Sequence, residues 1–147
     1  MKLSERGLSL IKESEGLRLD KYQDTSGLWT IGYGHLIKEG EIYEIISAAK
    51  AAEILEEDVE WAENEVNALP CKLSQGQFDA LVDLVFNVGV KTFRESTIYA
   101  RLLAHNINQA GHELRRWVHD EGQVRTGLLI RRARAILVFY NAQAILA

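Results

Sequence analysis

One short run in this chain alternates strictly between bulky and small residues. Trp29, Ile31 and Tyr33 are separated by Thr30, Gly32 and Gly34. A period of two marks a strand, and here it sends the large side chains to one face and Thr, Gly, Gly to the other. Just before it, Asp24-Thr25-Ser26-Gly27 opens with Asp and closes with Gly, the preference of a type I turn. The segment predicts a β-hairpin or small meander with one face stripped of bulk, so that another group can lie against it. Elsewhere the apolar residues recur in steps of three and four. A small sheet in a mostly helical chain points to an α+β fold.

The helical patterns are punctuated by their own signals. Ser4 can cap a first helix whose Leu8, Ile11 and Glu15 share a face, and Gly16 fits a left-handed stop after it. Ala52, Leu55, Val59, Ala62, Val66 and Leu69 predict one long helix from Ser47 to Pro70, with glutamates on its solvated side. Ser74 and Gln77 form a capping box ahead of Phe78, Leu81, Val82 and Val85, and Gly89 closes that helix. Further helices are expected near 96–105, 109–118 and 128–145, with Gly122 and Gly127 bounding a loop. The outline is an N-terminal lobe over about 1–46, a connecting helix over 47–69 and an all-helical lobe over 70–147, within one domain.

Composition narrows the function. The 147 residues contain one cysteine, Cys71, so no intrachain disulfide is available. No stretch approaches the ~20 apolar residues of a membrane span, which predicts no stable membrane insertion. The N-terminus intersperses charge and Ser among its apolar residues, unlike a signal peptide, so the chain is expected in the cytosol. Residues 1–70 hold 7 Lys+Arg against 15 Asp+Glu, whereas residues 71–147 hold 10 against 6. A basic second half suits an anionic polymer as partner, or it is an ordinary solvated surface. The charge is too small and dispersed for a nucleic-acid binder, and no helix-turn-helix motif is present.

Two acids stand beside the bare strand face. Glu15 ends the first helix on its apolar side, where burial and the negative end of the helix dipole would both favour a protonated carboxyl. Asp24 sits in a polar turn and is expected to stay ionised. Glycoside hydrolysis asks for such a pair: one carboxyl protonates the leaving oxygen, and the other steers water or stabilises the cation. Acids eight residues apart are common, so spacing alone carries little weight.

The full string carries more. Glu15-Gly16-Leu17-Arg18-Leu19, Tyr22, Asp24, Gly27 and Thr30-Ile31-Gly32-Tyr33-Gly34-His35 closely resemble the signature of the phage lysozymes, endolysins that cleave bacterial peptidoglycan. Phe86-Asn87-Val88-Gly89, Phe93, Ser96-Thr97, Arg116-Trp117-Val118, Gly127-Leu128 and Arg131-Arg132 resemble later landmarks of that family. The resemblance implies a two-lobed lysozyme-like fold and a muramidase that hydrolyses the β-1,4 link between N-acetylmuramic acid and N-acetylglucosamine. It implies Glu15 as general acid, Asp24 as second carboxylate and Thr30 as the hydroxyl that positions water. Leu36 and Phe86 match positions where relatives touch the sugar chain. The chain should act as a monomer on peptidoglycan glycan strands without metal or cofactor, released from the host cytoplasm to the wall by a holin. One position departs: where relatives commonly carry an acid three residues after the double arginine, this chain has Ala135.

Other readings remain open on the sequence. A wall-binding relative that lost turnover would explain Ala135, and a lytic transglycosylase would share the acid but release anhydro-sugars. His35 reads as a hydrogen-bonded structural residue, since the family motif assigns it no proton transfer.

Overall fold

The structure, a computed structural model, describes residues 1–141. These form two compact units: Ile11–Glu60, and Met1–Leu10 together with Trp61 onward. The expected helix near 128–145 lies partly outside the described residues.

In the unit Ile11–Glu60, the first helix α1 (Glu5–Glu15) delivers its last turn and stops at Gly16, whose φ of +73° is the left-handed conformation expected there. Strands β1 (Arg18–Gln23), β2 (Trp29–Gly32) and β3 (His35–Leu36) form an antiparallel sheet in that order. Tyr22 pairs with Thr30, and Thr30 in turn pairs with Leu36. The strand expected to continue through Tyr33 ends at Gly32, because Gly32 and Gly34 take φ values of +69° and +82° and turn the chain back toward His35. Helix α2 (Ala48–Asp58), capped by the Ser47 hydroxyl, packs against β2. The core here is small: Ile31, Ile46, Ala51 and Ile54, flanked by Tyr33, Ile37 and Tyr43. Each buried isoleucine contributes about 2 kcal/mol, so a core of this size leaves little redundancy.

The other unit is helical. The long helix expected to reach Pro70 is interrupted at Val59 and resumes as α3 (Glu60–Asn67). There follow α4 (Gln75–Val88), α5 (Val90–Arg94), α6 (Thr97–Leu103), α7 (Ile107–Glu113), a 3-10 turn at Leu114–Arg116, and α8 (Thr126–Phe139). The Ser74–Gln77 capping box is formed in full. Helix α4 is buried from Phe78 to Val85 and packs against α8. This part is not wholly helical: β4 (His119–Asp120) and β5 (Gln123–Val124) make a hairpin where a loop was expected, and Gly127 lies inside α8. The hairpin turns through Glu121 and Gly122, both at positive φ, as a two-residue connection of this hand requires.

Buried acids tie the chain's start to this unit. Ser4 caps α1 by accepting from the Gly7 amide, and Asp79 of α4 accepts from both the Ser4 amide and its hydroxyl. A Cβ at Gly7 would lie 2.6 Å from the Asp79 carboxyl carbon, so only glycine permits this approach. Among the described residues, no helix is long and apolar enough to cross a membrane.

Candidate active site

The turn between β1 and β2 is built around one residue, Leu28. Asp24 donates its amide to the Leu28 carbonyl, and its Oδ1 accepts from the amides of Leu28 and Ser26 at 2.9 and 2.8 Å. The Gly27 amide closes the turn onto the Asp24 carbonyl at 2.9 Å. The Thr30 hydroxyl then donates to the same Leu28 carbonyl at 3.1 Å. Leu28 thus holds Asp24 by its N–H and Thr30 by its C=O, so the two peptide units that meet at its Cα tie the carboxylate and the hydroxyl to one residue.

Thr30 is almost fully buried, and its only proton is committed to Leu28. Its oxygen therefore offers lone pairs, not a donor, to anything that approaches. Leu36, directly across from Thr30 on β3, shares that face and is half exposed.

Glu15 lies beside the turn that joins β2 to β3: a Cβ placed on Gly34 would be in ordinary contact with Glu15 Oε2, at 3.7 Å. The expectation that Glu15 would be desolvated does not hold: the buried face of α1 includes Ile11 but stops short of Glu15, which is solvent-exposed at the helix end. Glu15, Asp24, Thr30 and Leu36 all belong to one unit. Phe86 belongs to the other, on α4, where it stacks on the half-exposed Trp61 with ring centroids 6.0 Å apart.

His35 is structural, and tightly so. Its ring is buried, with Nδ1 2.7 Å from Asp58 Oδ2 and Nε2 3.0 Å from Glu41 Oε1. Burial opposes its charged form, but the two carboxylates outweigh burial and raise its pKa above the ordinary value. Glu41 is lowered in turn, first by the Lys38 amide and then by His35. Sequence reading missed Asp58 and Glu41, which look like surface acids until the imidazole between them is located.

Sequence reading also missed the buried acid that Arg131 and Arg132 share. Arg131 lies on α8 and grips the fully buried Asp83 of α4 with Nε and Nη2 at 3.0 and 2.7 Å. Arg132 reaches the same carboxylate at 3.4 Å, the Trp117 carbonyl at 3.0 Å, and the Asn87 amide oxygen. Burial lowers the Arg132 guanidinium to about 10, against the pull of Asp83. Asp83 of α4 is thus shared by both arginines of α8, and Ala135 is fully buried.

Comparison with known proteins follows the same residues. The family model for phage lysozyme matches residues 12–135. The chain is 36% identical to the endolysin of Salmonella phage P22 over 96% of its own length and 99% of that protein. It is equally similar to the endolysin of Acyrthosiphon pisum secondary endosymbiont phage 1, covering 97% of this chain and all of the other. Against the Bacillus phage B103 endolysin it is 35% identical, but spans only 56% of that protein. A crystal structure of a P22 lysozyme mutant superposes with a TM-score of 0.87 at 34% identity, covering 95% of this chain and 99% of that one. The muramidase domain of SpmX from Asticaccaulis excentricus gives 0.83 at 34% identity, covering 94% and 97%. With an intact acid–turn–hydroxyl run on the expected sheet and matches over almost its whole length, the chain belongs to the phage lysozyme family.

Proposed function

We propose that this chain is an endolysin that hydrolyses the β-1,4 bond between N-acetylmuramic acid and N-acetylglucosamine in peptidoglycan, causing host lysis. The observation that carries the reading is Leu28, whose N–H binds Asp24 and whose C=O accepts from Thr30, in the same unit that holds Glu15. Glu15 protonates the glycosidic oxygen and releases the leaving sugar. Water is held on the opposite side of the sugar by the Asp24 carboxylate and the Thr30 oxygen. Both are acceptors, so the two hydrogens of the water point toward the protein and a lone pair is left facing the anomeric carbon. Leu36 contacts the sugar beside Thr30, and Phe86 contributes a second contact. The reaction proceeds with two carboxylates and water, without metal or cofactor. The chain acts as a monomer and reaches the wall from the host cytoplasm once a holin has opened the membrane.

The test is Glu15→Gln, which preserves shape and removes the proton. Clearing of a peptidoglycan suspension should slow by roughly a hundredfold or more. Near-normal clearing by the folded variant would remove Glu15 from the mechanism. Mass spectrometry of the digest should give reducing muramic ends; anhydro-sugars would make the chain a transglycosylase.

A further inference from the structure

On β2, Trp29 and Thr30 are consecutive and so point to opposite faces of the sheet. Behind the face that carries Thr30 is a cavity of about 380 Å³, lined by Trp29, Lys21, Lys38, Glu41, Tyr43 and Glu44 among others. That volume is within the range of small-molecule sites. Its walls are fixed. The segment after β3 is laced to the sheet by Ile37 N–H to the Trp29 carbonyl, Lys21 N–H to the Glu44 carbonyl, and Ile46 N–H to the Leu19 carbonyl, at 2.9, 3.0 and 2.8 Å. Glu41 pins the middle of that segment through the Lys38 amide and His35. Tyr43 packs both on the small core and edge-on to His35.

The lining selects a chemistry. Trp29 is nearly half exposed, so much of its apolar indole surface is open to a ligand. The Lys21 ammonium lies 4.7 Å from its ring centroid, so the preferred cation position over the indole is already taken from within the chain. Lys21 also pairs with Glu44 at 2.8 Å. With carboxylates and ammonium groups interspersed around the rim, neither a strongly anionic nor a strongly cationic ligand finds a complementary field. An uncharged ring with an apolar face for the indole and a polar edge for Lys21, Glu44 and Lys38 fits best, and a pyranose has that form.

We propose that this cavity is a second carbohydrate site, which holds an uncharged N-acetylhexosamine unit of the glycan on the sheet face opposite Thr30. It rests on the muramidase reading for the identity of the polymer, but not for the existence of the site. Its role is to keep the protein on the wall between cleavages, since a polymer bound at two points leaves more slowly than one bound at a single point.

The test titrates a soluble β-1,4-linked N-acetylglucosamine tetramer into the Glu15→Gln protein and follows backbone and indole N–H resonances. The Trp29 indole and the Lys21 and Tyr43 amides should shift together and saturate. Trp29→Ala should weaken that binding at least tenfold, whereas Trp29→Phe, which keeps an aromatic face, should weaken it less than about threefold. Clearing of walls by the parent chain is measured alongside. Clearing with a silent Trp29 overturns the second site and leaves the muramidase reading intact. Saturable Trp29 shifts without clearing keep the site and remove the muramidase reading. Silence in both overturns both.

Discussion

Thr30 spends its only proton on the Leu28 carbonyl, and this changes what its substitution should do. Thr30→Val keeps strand preference and shape but removes the acceptor offered to water. It also releases one Leu28 hydrogen bond, worth about 1 kcal/mol. Wall clearing should fall at least tenfold while the melting temperature drops by only a few degrees, and Thr30→Ser should recover most of the activity. Loss of activity that tracks loss of stability in both variants would make Thr30 structural only. His35 gives a pH signature. Its pKa is raised in the folded protein, so its contribution is complete below the unfolded value of about 6.5 and fades as pH rises through the folded value. Glu41 is lowered, so its share is complete above about 4.5 and fades as pH falls through its folded value. The melting-temperature gap between the parent and His35→Asn should be widest near pH 5–6 and should narrow by pH 9. A gap that does not change with pH would mean that His35 is held by packing alone.

Elements were legible where a local hydrogen bond defines them. Ser4, Ser47 and Ser74 each cap a helix that begins where the sequence places it, because an N-cap and the amide it serves are only three residues apart. The Asp24 turn and the Gly16 stop were readable for the same reason. What was missed depends on distant partners. Asp79 and Asp83 read as polar positions on α4, and their burial makes sense only with Ser4 and Arg131, 75 and 48 residues away. The hairpin at 119–124 was missed because strands of two residues carry no measurable alternation. Ala135 on α8 is fully buried, and Arg131 one turn before it already holds Asp83. Ala135→Glu should therefore destabilise the protein by about 2–4 kcal/mol through overpacking and a buried charge, measured by denaturant unfolding. A variant as stable as the parent would show that α4 and α8 can part to admit it.

At the scale of the molecule, charge is distributed unequally, with residues 71–147 basic and residues 1–70 acidic. Arg115 and Arg116 are both exposed, although Arg116 also pairs with Glu113 at 3.1 Å. If the basic half steers the chain onto an anionic wall, clearing should slow several-fold between about 0.01 and 0.15 M salt, as the screening length falls from ~30 to ~8 Å. Removing Arg115 and Arg116 should flatten that dependence. Clearing that is indifferent to salt would reduce the asymmetry to ordinary surface charge. The double use of Leu28 has a consequence for the spacing of this run. Leu28 can reach Asp24 on one side and Thr30 on the other only because the loop between them has a set number of links, so the five-residue interval acts as a ruler. A single glycine inserted after Ser26 would leave every side chain of the run in place on paper, yet it would separate the two ends of the ruler. Chain length in that loop is under as tight a constraint as the chemistry of the residues it joins.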